Sequence, residues 1–136
     1  MIGAALFPSQ YLHGAEAVVR GGAGSVWAPQ LLTQEVTNSA WKLERRGLLT
    51  RDDVDSVLAR FARLGIELVD SPGSPRRALA IARRFTQSRI FDAIYLACAE
   101  DLDAELWTCD RRFVASFGNH RPSRLRLCPD DVASDR

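Results

Sequence analysis

Four short apolar runs constrain this chain more than any other feature. They are Ser25-Val26-Trp27-Ala28, Ile66-Glu67-Leu68-Val69, Glu105-Leu106-Trp107-Thr108-Cys109 and Leu125-Arg126-Leu127-Cys128. Each is too short for a helix and reads as a strand. The segments between them carry apolar residues at spacings of three and four, as helices do. Strands that alternate with helices make an α/β domain with a mainly parallel sheet. Sites on such sheets lie at the carboxyl ends of the strands. Asp110 stands at such an end, directly after the third run.

The helical segments have legible ends. Ile2 to Phe7 reads as a short helix or the tail of one, stopped at Pro8, and Tyr11 to Arg20 as a helix ended by Gly21-Gly22. Pro29 suits the first turn of the next helix. That helix places Leu32, Val36, Ala40 and Leu43 on one face and closes at Gly47. Thr50 and Asp53 form a capping-box start for a helix through Val54, Val57, Leu58 and Phe61, stopped by Gly65. Ser74-Pro75 reads as an N-cap followed by proline at the first helical position, opening a helix through Leu79 and Ala82 towards Phe85. Ser88 is the candidate cap of a helix with a wide apolar stripe of Phe91, Ile94, Tyr95, Cys98, Ala99 and Leu102. Asp110 opens another short helix, and the polar tail from Asp130 to Arg136 is expected to be loose.

A chain of 136 residues suits one domain, and at this length folding buries about 68% of the unfolded surface. A core is therefore available without disulfides. Cys98, Cys109 and Cys128 are odd in number and lack short spacings, which argues against a disulfide framework and a zinc site. A reducing cytoplasm is the expected setting. No basic leader opens the sequence, and no apolar stretch approaches the ~20 residues of a membrane span. The net charge of +1 excludes a global basic field but allows local patches. Lys42 is the only lysine among 18 basic residues, and arginine suits bidentate phosphate contacts.

Glu35, Asp92 and Asp110 carry the chemistry. Glu35 lies between Leu32 and Val36, Asp92 between Phe91 and the run Ala93-Ile94-Tyr95-Leu96-Ala97, and Asp110 after Leu106-Trp107-Thr108-Cys109. An ion beside a core is costly unless paired or bound to a metal. At ~4 Å and an effective dielectric of ~20, each like-charge pair costs about 4 kcal/mol. Three carboxylates around one point would protonate in part or recruit a cation. An oxygen-only site suits Mg²⁺ or Mn²⁺, and such an ion supports phosphodiester hydrolysis. A plainer reading competes for each acid. Asp110 serves as an N-cap, and Asp92 leans out to water. Spacing alone does not bring the three together.

The segment Phe91-Asp92-Ala93-Ile94-Tyr95-Leu96-Ala97 followed by Leu106-Trp107-Thr108-Cys109-Asp110-Arg111-Arg112-Phe113 resembles the carboxy-terminal signature of PIN-domain nucleases. In particular it resembles the VapC toxins of bacterial toxin–antitoxin modules. Ala28 to Ala40 resembles the family's helix bearing an acidic Glu, and the likeness runs through almost the whole chain. The resemblance implies a Rossmann-like PIN sheet flanked by helices, in a single domain over residues 1–136. It implies Mg²⁺- or Mn²⁺-dependent endoribonuclease activity, with Glu35, Asp92 and Asp110 as metal-binding catalytic acids. Thr108 matches a Ser/Thr position near the metal, and Asn38, one turn after Glu35, is a supporting candidate. The implied partners are an RNA substrate, a cognate VapB-type antitoxin and a second copy in a homodimer.

One departure stands out. The family opens with a short hydrophobic strand ending in Asp, followed by a helix, and that strand is central to the sheet. Met1 to Phe7 resembles that helix already under way, so the strand and its Asp are expected to be missing, through a misplaced start or true degeneration. Three acids with water would remain, and activity is expected to fall. The alternative function is therefore a catalytically impaired PIN-like module that binds RNA or protein.

Other residues point elsewhere less strongly. His13 and His120 lack ligand spacing and read as surface histidines. Arg45-Arg46, Arg76-Arg77, Arg83-Arg84 and Arg111-Arg112 suit either an RNA groove or solvated helix faces. Arg111 and Arg112 adjoin Asp110 and are the foremost candidates for phosphate contact. Trp27, Trp41 and Trp107 are spaced as core or interface residues, not as a stacking row. Neither G-x-G-x-x-G nor G-x-x-x-x-G-K-[ST] occurs, which weakens a nucleotide-binding reading.

Overall fold

The computed structural model describes residues 25–86, 90–108 and 110–127. Along them run β1 (Trp27–Pro29), α1 (Leu31–Arg45), α2 (Arg51–Arg63), β2 (Glu67–Val69), α3 (Ser74–Phe85), α4 (Ile90–Asp101), β3 (Leu106–Thr108), α5 (Arg111–Ala115), a 3₁₀ turn (Gly118–His120) and β4 (Leu125–Leu127). The expected helices Ile2–Phe7 and Tyr11–Arg20, His13, the Ser88 cap, Cys109, Cys128 and the tail lie outside the described residues.

All four expected strands form. β1 pairs with β2 in parallel, Ala28 opposite Leu68, and β3 pairs with β4 in parallel, Trp107 opposite Arg126. Each pair is joined through helices, as parallel strands require. Among the described residues these are two parallel pairs, and no described strand joins them. Helix α4 packs on both β1 and β3 and lies along α3, so it spans the two pairs.

The burial of α4 follows from its composition. Ala93, Tyr95, Leu96, Ala97, Cys98 and Ala99 are all buried. A helix apolar on most of its faces belongs inside, and its small residues admit close neighbours. Its ends differ from the expected stripe: Phe91 is 47% and Leu102 38% exposed. Leu32 and Val36 of α1, Ala78 and Ile81 of α3, Leu106 of β3 and Leu125 of β4 complete the core around it. Phe117 packs edge-on against both Phe85 and Phe113, with centroids 4.7 and 5.1 Å away.

Helix ends largely obey their local signals. Gly47 and Gly65 close α1 and α2 with φ of +69° and +68°, where a Cβ is strained. Two expectations fail at proline. Pro29 is the last residue of β1, opposite Val69, not the first turn of α1. A strand end tolerates its missing N–H. Ser74 begins α3 but caps nothing with its side chain, and Pro75 follows it inside the helix. A turn already leads in: Ser74 N–H donates to the Ser71 carbonyl at 2.9 Å, and Gly73 is itself helical. The cap position thus falls to Gly73, which has no side chain to cap with.

The capping box of α2 forms in full. Asp53 N–H donates to Thr50 Oγ1 at 3.1 Å, and Thr50 N–H donates to Asp53 Oδ2 at 2.8 Å. The Thr50 hydroxyl bond, then its backbone bond, hold the Asp53 carboxyl below the ordinary carboxylate range. With the folded value depressed, the contribution is present above the unfolded value and lost as pH falls through the folded one. Thr50→Ala is expected to cost about 1 kcal/mol at neutral pH, the usual loss for an N-cap hydroxyl. Urea midpoints should show the gap from wild type shrinking below about pH 4.

Candidate acidic site

Glu35 sits half-buried on α1, between the buried Leu32 and Val36. The helix spacing that buries those two residues holds Glu35 at the edge of the core. Its carboxylate is met by a residue far away in the chain. Tyr95 Oη donates to Glu35 Oε2 at 2.6 Å, across a separation of 60 residues. Tyr95 lies on α4 and is only 1% exposed. A buried phenol keeps its hydroxyl by finding an acceptor, and Glu35 is that acceptor.

Asp92 lies three residues before Tyr95 on the same helix, hence on the same side. Its charge reaches the Tyr95 hydroxyl together with that of Glu35. Burial first, then the Glu35 hydrogen bond, then the two negative charges push the Tyr95 hydroxyl far above its ordinary range. Tyr95 therefore stays a neutral donor across all working pH. The structure thus ties Glu35 to the helix that carries Asp92, a link that no sequence spacing revealed.

Asp110 has a defined structural task. It caps α5: its Oδ1 accepts from Arg112 N–H at 2.9 Å and from Phe113 N–H at 3.0 Å. Its own N–H donates to Thr108 Oγ1 at 3.1 Å. Thr108 is 3% exposed, so its hydroxyl is spent inside this turn and fixes where Asp110 begins the helix. The plainer reading of Asp110 as a cap is thus realised. Capping engages one carboxylate oxygen and does not itself remove the acid from chemistry.

Among the described residues, no three His, Cys, Asp or Glu side chains form a group able to hold one metal ion. The two acids linked through Tyr95 and its helix are Glu35 and Asp92, and their donors are oxygen alone. Such a pair fits Mg²⁺ or Mn²⁺ as a hydrated ion, because Mg²⁺ commonly takes one or two carboxylates and keeps several waters. It does not fit a site closed by protein ligands.

The remaining candidates stand on the surface. Asn38, Arg111 and Arg112 are exposed, and so is His120 in the 3₁₀ turn. Arg77 is engaged by Asp101 at 2.9 Å and by Glu100 at 3.7 Å, tying α3 to α4. Arg45 and Arg84 lie over the rings of Trp41 and Phe85. Of the tryptophans, Trp27 donates its indole N–H to Glu67 across β1 and β2, and Trp41 is 55% exposed. No helix among the described residues is long and apolar enough to cross a membrane.

Sequence reasoning placed Tyr95 in the apolar stripe and missed its contact with the acid. The available signal was a tyrosine, not a phenylalanine, one turn beyond Asp92 on a helix apolar nearly all round.

Comparison with known proteins bears on what this arrangement does. The family model described as PIN domain matches residues 4–115. A protein named Ribonuclease VapC3, from Pyrobaculum aerophilum, is 31% identical over 120 residues, covering 85% of this chain and 88% of that protein.

Proposed function

This chain belongs to the PIN-domain family, and from that premise we propose that it is a metal-dependent endoribonuclease, the toxin of a VapBC-type toxin–antitoxin pair. The observation that carries the reading is the Tyr95–Glu35 bond, which ties α1 to the helix that bears Asp92. Carboxylates at the edge of a core are oxygen donors that suit a hard divalent cation. Glu35 and Asp92 would hold Mg²⁺ or Mn²⁺ with water completing the shell, while Asp110, the cap of α5, forms no three-acid group with them among the described residues. A bound ion of this kind polarises a phosphoryl oxygen and lowers the pKa of a bound water.

The chain's own residues supply the rest. Thr108 holds the Asp110 backbone, so the carboxylate leaves β3 in one direction. Arg111 and Arg112, exposed on the first turn of α5, would meet the phosphates of an RNA strand. Asn38 is the supporting polar residue on the Glu35 helix. Silencing follows from the same electrostatics. An arginine of a VapB-type antitoxin would pair with the two carboxylates and exclude the cation. The dimer belongs to the same proposal.

The test is RNA cleavage by the purified full chain in millimolar Mn²⁺, with and without chelator. Cleavage is expected only with the ion. Its binding should also raise the melting temperature, by the equivalent of ~2.7 kcal/mol at a hundred times the dissociation constant. The second reading is a PIN module that binds RNA or protein without cutting. It draws on the lack of a three-acid group among the described residues. Intact RNA and an unchanged melting temperature in millimolar Mn²⁺ would decide for it.

A further inference from the structure

We propose that Tyr95 is a positioning residue whose hydroxyl fixes the Glu35 carboxylate opposite Asp92, so that the two acids form one shared ion site. The inference rests on the reading of that pair as an ion site and gives the hydroxyl that links α4 to α1 a task within it. Packing does not explain the hydroxyl. Tyr95 is 1% exposed, and a phenylalanine would fill nearly the same volume with no polar group to satisfy. The oxygen is instead spent on a charged acceptor from another helix, at 2.6 Å, the short range of charge-assisted O–H···O⁻ bonds.

The placement explains what the bond does. Tyr95 follows Asp92 by one turn of α4, so it ties Glu35 to the very helix that carries the second acid. Without that bond Glu35 loses one hold on its rotamer, and repulsion from Asp92 would favour rotamers pointing away. Gathering it back would then fall to the ion, at a cost in affinity. Hydrogen-bond partners of metal ligands commonly carry 10–100-fold of the affinity for this reason.

The experiment compares wild type, Tyr95→Phe, Glu35→Gln and the double variant as full chains, checked for fold by circular dichroism. Mn²⁺ half-saturation is read from tryptophan fluorescence, and cleavage from an RNA substrate. Tyr95→Phe is expected to weaken Mn²⁺ binding about 10-fold, with cleavage recovering towards wild type as Mn²⁺ saturates. In the Glu35→Gln background the same change should add nothing, because Tyr95 acts through Glu35.

An unchanged midpoint in Tyr95→Phe, with Glu35→Gln shifted, would overturn the role of Tyr95 and leave the ion site standing. A further loss on top of Glu35→Gln would show a merely structural role and overturn it too. A wild type indifferent to Mn²⁺ would remove the ion site and the Tyr95 role together. If Tyr95→Phe does not fold, a crystal structure of Mn²⁺-loaded wild type decides. The Tyr95–Glu35 contact kept beside the ion supports the proposal, and Glu35 swung away from Tyr95 overturns it.

Discussion

Asp92→Asn is expected to lower Mn²⁺-dependent RNA cleavage by about 10²–10³-fold, while the melting temperature holds. The two effects share one cause. Asp92 and Glu35 are like charges near the same buried hydroxyl. Two like charges tied to one helix gain little from each other without an ion, so neutralising one is expected to cost the fold little. With an ion, the same neutralisation removes charge where charge is needed, and losses of that size follow from removing one preorganised electrostatic group. Glu35→Gln should behave alike. The double variant should cost little more than either single one, because groups that act as a unit are not additive. The measurement is kcat/KM in saturating Mn²⁺ beside a thermal melt. An Asp92→Asn protein that cleaves at the wild-type rate would end the assignment of this acid.

Phe117→Ala is expected to cost about 3–5 kcal/mol of stability. The ring is 2% exposed and sits between Phe85 of α3 and Phe113 of α5. Truncation removes the buried ring and also two edge-on contacts, each worth about 0.5–1.5 kcal/mol beyond its area. The neighbours come from separate elements and cannot all close on the void. Against a usual total of about 5–15 kcal/mol, the loss is large enough to populate the unfolded chain at growth temperature. Urea denaturation should show a lower midpoint at an unchanged slope. Phe117→Leu should lose much less. A loss under about 1 kcal/mol in Phe117→Ala would show that the ring is not a core element.

The strands were legible because each apolar run is short and bounded. Three lie inside the runs read from the sequence, trimmed by a residue at one or both ends, and β1 overruns its run by Pro29. The capping box at Thr50 and the closing glycines at 47 and 65 were legible for a related reason, since caps involve residues three or four apart. Pro29 and Ser74 were misplaced because their signals are ambiguous locally. A proline suits both a strand end and a helix start, and a serine before proline caps only if the chain enters extended. Phe91 and Leu102 were assigned to a buried stripe that ends short of both, because spacing gives a face but not the width of its cover.

The candidate site divides along the same line. Asp110 as an N-cap and Thr108 as the anchor of its turn are short-range facts, with contacts two and three residues apart. Membership of the PIN family was likewise readable from the motifs around Asp92 and Asp110, and the family match over residues 4–115 agrees. The sequence by itself therefore determined the element order, the parallel strands, the family and the types of acid present. Only the tertiary structure decided that Glu35 meets Tyr95 beside Asp92. That contact joins residues 60 positions apart. Patterns within a turn or a strand are set by neighbours a few bonds away, whereas this one exists only once α1 and α4 have packed on β1 and brought two distant side chains within one hydrogen bond.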